Sequence, residues 1–410
     1  MPPSPAPLDA ADPLAHFREF FHLPKGGIYL DGNSLGAMPK TALAEMKKAV
    51  EEEWAEGLIS SWNTAGWFEL PLALGSLLAP IIGCAPDEAV VCDTVSINIF
   101  KVVHAALALR PGRNTIVAEY HGFPTDLYML DGIKSLRPDL EIRLEGRDAD
   151  TIEALIDENT ACVLVNQADY RTGVVRDMAA LNQRIASAGA LSIWDLCHSA
   201  GAMPVELNAT GADFAIGCTY KYLNGGPGAP AFIFAAKRHH NKIQQPLRGW
   251  WSHRAPFAFA SGYEAAEGIS AFQCSTQPML SMRAVKPALE MLQGVDWHQV
   301  RAKSMALTDY FIACVEARCE GQGLTLAVPR DAAKRGSQVT FKHSGGLPIM
   351  QALISKGVVG DFRAPDNLRF GFAPLYLSFK DASDAADIIA DVLKSGIWRE
   401  PKFSQRGSVT

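Results

Sequence analysis

From about residue 88 the sequence alternates short apolar, β-rich runs with segments of helical spacing, and this alternation constrains the fold more than any other feature. Residues 89–92, 114–119, 141–144, 161–165, 190–194 and 214–218 read as strands. Helical segments fall between them at 96–109, from about Pro124, at 149–157 and at 177–188. In the first of these, Ile97, Phe100, Val103 and Leu107 share one face. Apolar strands alternating with helices imply βαβ units, hence an α/β fold with a mainly parallel central sheet flanked by helices. After about residue 280 the texture changes to helices at 281–292, 297–318, 347–356 and near 380–394. Shorter strands at 324–328, 338–341 and 367–370 accompany them. This second part reads as a smaller α+β domain. The expected division is an N-terminal segment, 1–50, packing with the small domain, a large domain, 51–285, and a small C-terminal domain, 286–410.

Composition narrows the function classes. The 410 residues are 48% apolar and 20% charged, as in globular enzymes, and the net charge of −6 offers no bulk attraction for nucleic acid or anionic lipid. Eight cysteines occur without a CxxC pair, so free thiols in a reducing compartment are expected. The adjacent His239 and His240 have no Cys or carboxylate at ligand spacing and read as surface residues, so no metal site is expected. The proline-rich start lacks the charge and apolar core of a signal peptide. The longest apolar stretches, such as Leu70–Ile82, are broken by Pro and Gly, short of a membrane span. A cytoplasmic protein is expected.

Ligands of open parallel sheets bind beyond the carboxyl ends of the strands, so the residues following each run matter most. After 89–92 come Thr94, Val95 and Ser96 at a helix start, where free N–H groups and hydroxyls can hold a phosphate; Ser there is also an ordinary helix cap. After 114–119 come Phe123, Pro124, Thr125 and Asp126, an aromatic plate and a carboxylate, or simply a helix start with Pro in its first turn. Asp195 follows 190–194, with Cys197 and His198; it can face a protonated ring nitrogen or be a solvated loop acid. Tyr220 and Lys221 follow 214–218, ahead of Asn224-Gly-Gly-Pro-Gly228. A Lys behind an apolar strand can be desolvated into a nucleophile for carbonyls, though many such residues are merely exposed. Each signal alone is weak. Together they supply a phosphate site, an aromatic wall, an acid for a ring nitrogen and an amine for an aldehyde, the contacts that pyridoxal 5′-phosphate (PLP) requires. Neither GxGxxG between strand and helix nor GxxxxGK[ST] occurs.

Six motifs then stand out. They are Tyr29-Leu-Asp-Gly-Asn-Ser-Leu-Gly36, Phe123-Pro-Thr-Asp126, Trp194-Asp-Leu-Cys-His-Ser199, Cys218-Thr-Tyr-Lys-Tyr-Leu-Asn-Gly-Gly-Pro-Gly228, Gly249-Trp-Trp-Ser-His253 and Arg369-Phe-Gly-Phe-Ala-Pro-Leu-Tyr376. In this order, over nearly the whole chain, they resemble the kynureninase family of fold-type I PLP enzymes in the aminotransferase class V group. The resemblance implies PLP-dependent hydrolysis of L-kynurenine to anthranilate and L-alanine. It further implies tryptophan catabolism by the kynurenine pathway, with its link to NAD biosynthesis, and a homodimer with shared active sites. Residue by residue it implies Lys221 as the lysine that holds the cofactor and Tyr220 and Asp195 as further catalytic residues. Val95, Ser96, Phe123, Pro124, Thr125, Asp126, Asp195, His198, Tyr220, Trp250 and Thr276 would contact the cofactor, Trp250 and Thr276 from the neighbouring subunit. Ser34, Trp62 and Arg369 would bind substrate, Arg369 gripping the α-carboxylate. Trp62 and Thr276 stand where animal members carry His and Asn, which implies a preference for kynurenine over 3-hydroxykynurenine; Trp67 is an alternative to Trp62. Asp169 and Thr172 follow strand 161–165 near the same edge. A cysteine desulfurase or lyase of the same group is the nearest rival, but Cys314 and Cys319 fall in an expected helix, a poor place for a mobile nucleophile. A PLP-binding protein without catalysis is a second rival, against which Lys221, Asp195, Tyr220 and Arg369 all stand.

Overall fold

A computed structural model of the chain describes residues 2–405. Its centre is a seven-stranded sheet. Across the sheet the strands run Ala89–Val91, Ala231–Ala235, Phe214–Cys218, Leu191–Asp195, Thr160–Asn166, Thr115–Glu119 and Glu141–Glu145. All contacts from Phe214–Cys218 to Glu141–Glu145 are parallel, while Ala231–Ala235 is antiparallel to both its neighbours. The strands are apolar on both faces because both are covered. Val117, Val163, Trp194, Ala215 and Phe232 belong to one core cluster, and their neighbours Ile116, Cys162, Ile193, Phe214 and Ile233 to the other. The alternation has period two, as a pleated strand demands. Edge strand Glu141–Glu145 has a single buried residue, Leu144, and is the most polar of the seven.

The sequence reading missed Ala231–Ala235, an AFIFA run whose return after the Gly-rich turn needs no helix because its direction is reversed. The helix expected at 149–157 is only a single 3-10 turn, Ile152–Leu155, anchored by Ile152 N–H on Glu145 Oε1. Leu70–Ile82, read as a broken apolar stretch, is one helix. Its Gly75 lies on the Ala89 backbone, where a Cβ would come within 2.1 Å of the carbonyl oxygen. Helix Val95–Leu109 buries Ile99, Val102, Val103 and Ala106, whereas Ile97, expected on the core face, is exposed. His239 is not a surface residue: it is buried, stacks on Phe214 and bonds Asp213 Oδ1 at 2.8 Å. Sequence spacing could not find that carboxylate, which lies on the neighbouring strand connection. No cluster able to hold a metal occurs among the described residues, and no described helix is long and apolar enough to cross a membrane.

The second sheet has four antiparallel strands in the order Thr325–Leu326, Gln338–Lys342, Asn367–Gly371 and Asp361–Arg363. Helices Trp297–Arg318 and Phe379–Ser395 pack against each other beside it, burying Phe311, Ala385 and Ile389 in the first core cluster. The N-terminal segment joins this region. Ile28–Tyr29 pairs with Val358–Val359, Asp31 bridges to Gly371, and Lys303 meets Asp12 at 2.6 Å.

Candidate active site

A cavity of about 300 Å³ opens at the carboxyl edge of the large sheet. One end is a helix start. Asp93 turns the chain through a left-handed conformation, φ 49°, held by fully buried Lys101 at 2.5 Å and by Gln277 on its N–H at 2.9 Å. Thr94 caps helix Val95–Leu109 by accepting from Ile97 N–H. The cap is therefore Thr94 and not Ser96, and Val95 and Ser96 fall in the first turn, whose N–H groups lack helical acceptors; all three line the cavity.

Phe123 caps helix Pro124–Leu136 without a side-chain bond, and its half-exposed ring forms one wall beside Thr125. Opposite the helix start, Asp195 ends its strand with 3% exposure and accepts from Cys197 N–H at 2.7 Å. Lys221 and Tyr220 sit in the turn after Phe214–Cys218. Lys221 Nζ lies 3.0 Å from His198 Nε2 and 5.7 Å from the Phe123 ring centre. Gly36 of the first motif lies on this turn: its N–H donates to Tyr220 O at 2.7 Å, and a Cβ there would come within 2.2 Å of Lys221 O. The two motifs thus meet through a glycine because nothing larger fits.

The electrostatics are lopsided. Asp195, Asp126 and Glu119 are all buried on this edge. Burial raises the Asp195 carboxyl, against the Cys197 hydrogen bond and Lys221. Asp126 is raised well above the usual range by burial and by Asp195 and Glu119, and neither of its oxygens has a partner among the described residues. Glu119 is raised by burial although Arg176 forks onto it. His198 is held well below its ordinary range, first by burial and then by Lys221, so it is neutral; its buried Nδ1 has no partner among the described residues. Burial pushes the Tyr220 phenol upward and keeps it protonated. Among the described residues Asp195 is the one carboxyl in the cavity lining, and a buried acid there suits a ligand that brings a cationic N–H.

Not every expected residue lines this cavity. Pro124 and Asp126 stand behind its wall. Trp250 and Trp62 are brought together elsewhere, 5.7 Å apart, in an aromatic cluster with Trp251 and Phe68. Trp67 is tied to Glu53 by its indole N–H at 2.8 Å, which leaves Trp62 the less constrained of the two. Thr276 is exposed, next to the Gln277 that holds Asp93. Asp169 does not approach the cavity, since its Oδ1 accepts from Thr172 N, Thr172 Oγ1 and Arg171 N and so closes its own loop. Ser34 and Arg369 are also absent from the cavity lining; they meet each other at 3.1 Å, and Arg369 forks onto Asp361 through Nε at 2.8 Å and through Nη2. Sequence reasoning missed Asp361, and also Asn166, which lines the cavity from the last position of Thr160–Asn166 and is held by Glu119 Oε2. Asn166 directly follows the expected strand 161–165, so the same strand-end rule could have found it.

PLP fits these residues. The unpartnered His198 Nδ1, the buried Asp195 carboxyl and the free helix start are complementary to its ring substituents, its ring N–H and its phosphate. For the desulfurase alternative, Cys314 is fully buried within its helix and Cys319 is 5% exposed at the helix end. Cys197 lines the cavity, but the Cys218 hydrogen bond and burial raise its thiol well above the ordinary range, away from the thiolate.

Comparisons with known proteins agree with this geometry. The fold matches a cysteine desulfurase from Thermococcus onnurineus NA1 with a TM-score of 0.75 over 93% of this chain and 98% of that one, at 17% identity. It also matches a lysine-to-alanine variant of C-DES with glycine covalently linked to the PLP cofactor, with a TM-score of 0.77 over 91% and 99%, at 16% identity. At such identity the likeness shows a shared fold. Residues 300–389 match the Kynureninase C-terminal domain family. A protein from Burkholderia mallei (strain SAVP1) named Kynureninase is 52% identical over 408 residues, and one from Pseudomonas fluorescens is 48% identical, each covering 98% of both chains. With half of all positions shared from end to end, the chain belongs to the kynureninase family.

Proposed function

We propose that this protein is a PLP-dependent hydrolase that cleaves the Cβ–Cγ bond of L-kynurenine, yielding anthranilate and L-alanine. The observation that carries the reading is the pairing of Lys221 and Asp195 across one cavity, in a chain 52% identical over 98% of its length to named kynureninases. When bound, PLP supplies an electron sink conjugated with the substrate's Cα. Lys221 Nζ would hold the cofactor aldehyde and, as a free amine, would take the Cα proton, with neutral His198 3.0 Å away to receive its hydrogen bond. Asp195 would accept from the ring N–H and keep it protonated. The Val95 and Ser96 N–H groups and Tyr220, which line the cavity, would hold the phosphate, while Phe123 would cover the ring face. Tyr220, protonated at neutral pH, can deliver a proton toward the reacting carbons. Arg369 binds the α-carboxylate and Ser34 completes that contact.

The working form is a homodimer. Trp62, Trp250 and Thr276 lie outside the cavity of their own chain and would complete that of the partner subunit. An indole at Trp62 and a small Thr276 offer no imidazole or amide to a 3-hydroxyl group, which favours unsubstituted kynurenine. The cysteine usage and the lack of a membrane-crossing helix among the described residues support a cytoplasmic enzyme of tryptophan catabolism. The test is anthranilate fluorescence from purified PLP-loaded protein supplied with L-kynurenine and, separately, with 3-hydroxykynurenine and cysteine. Sulfide from cysteine without anthranilate would overturn the reading.

A further inference from the structure

We propose that Asp361 is the positioning residue that turns one edge of Arg369 toward the substrate carboxylate, and that the Ser34 hydroxyl marks where that carboxylate docks. The proposal rests on the kynurenine reading above and identifies how its carboxylate subsite is built. Asp361–Arg363 and Asn367–Gly371 form an antiparallel pair whose register sets Asp361 directly opposite Arg369. Directly opposed residues share one sheet face, within reach of each other. Both are buried, at 1% and 2% exposure. Arg369 donates from Nε to Asp361 Oδ1 at 2.8 Å and from Nη2 to Oδ2, so the side edge of the guanidinium is spent on Asp361. Nη1 donates to Tyr170 O at 2.6 Å.

A guanidinium has five N–H donors. Those contacts use three and leave one on Nη1 and one on Nη2, the pair that forms the end of the fork. The Nη2 donor meets Ser34 Oγ at 3.1 Å, and the same hydroxyl donates to Asp361 Oδ2 at 3.0 Å. A planar anion with two oxygens fits that end, and in its absence the serine oxygen supplies the acceptor. Asp361 also receives Arg363 Nη2 at 2.8 Å and so sits between two guanidinium groups, with Asp31 close enough to feel Asp361, Arg369 and Arg363. Without Asp361, the guanidinium would keep the Tyr170 carbonyl, Ser34 and the Asn33 amide oxygen at 3.2 Å from Nε, but would lose the two-bond fork that sets its plane. Asp361 touches no reacting atom; it acts through Arg369.

The deciding experiment compares holoenzymes, wild type and Asp361→Asn. Binding of L-alanine and of ethylamine, the same chain without the carboxylate, is followed through the visible absorbance of the cofactor. The ratio of the two affinities isolates the carboxylate contact. We expect the ratio to fall by about tenfold or more in the variant, with KM for L-kynurenine rising more than kcat falls, and Asp361→Glu recovering part of it. A ratio unchanged within about twofold overturns the proposal. Should the Asn variant not fold, the same criterion applied to Asp361→Glu, whose carboxylate is shifted by one methylene, decides: a lowered ratio supports positioning and an unchanged one refutes it. A wild-type protein that prefers L-alanine to ethylamine yet makes no anthranilate would overturn the kynurenine reading and leave the role of Asp361 standing.

Discussion

At the edge of the large sheet, Asp195, Lys221 and the Val95 helix start each come from a different strand connection and face a cavity from separate sides. On the small sheet, Asp361 and Arg369 stand across one hairpin and face each other. The first region leaves its charges apart, so a ligand must bring the counter-groups. The second satisfies its charges internally and keeps one edge for the ligand. A buried ion pair contributes little net stability once desolvation is counted, but it fixes geometry. The difference separates a site that captures a cofactor from one that orients a smaller, exchangeable group.

The sharpest way to break this comparison is Lys221→Ala. It should remove the cofactor's lysine-dependent visible band and lower anthranilate formation by at least about a thousandfold; a normal band would remove Lys221 from the cofactor contact. Asp195→Asn comes next, with an expected loss of about a hundredfold in kcat and cofactor still bound. Unchanged turnover would mean that the buried carboxylate does not face the ring nitrogen. Arg369→Lys should raise KM about tenfold and change cofactor affinity far less, because an ammonium cannot reproduce the fork; titrating both PLP and substrate checks this, and equal losses would make Arg369 a structural residue.

The smallest effect concerns pH and belongs to the small sheet. Burial, and next Asp361, raise the Asp31 carboxyl from 3.8 to about 7. Folded protein then holds a proton that the unfolded chain has released, so stability falls as pH rises from the ordinary carboxylate range to about 7. Asp31→Asn removes this slope. Above that value it should be more stable than wild type, by about 1–2 kcal/mol after allowance for partial exposure, and the gap should close in acid. Parallel melting curves for the two proteins at all pH values would place Asp31 in solvent.

The residues of the cavity were largely legible because strand ends are local. An apolar run and the few residues after it suffice to place Asp195 and Lys221, and Asn166 stands in the same place after 161–165. The antiparallel Ala231–Ala235 was missed because a glycine turn and an apolar run look alike whichever way the strand returns. The 149–157 segment was overread because its helical spacing is not long enough to hold a helix against the Glu145 anchor.

The sequence by itself determined six of the seven strands of the large sheet, its two apolar faces and the chemistry at its carboxyl edge, since all of these are written within a few consecutive residues. Only the tertiary structure decided that Gly36 lies on the Lys221 carbonyl, that Trp62 meets Trp250 away from their own cavity, and that Asp361 takes one side of Arg369. The first two contacts join residues far apart in the chain, and the third depends on hairpin register. Their geometry follows from how closed elements pack and pair, which no local pattern of residues records.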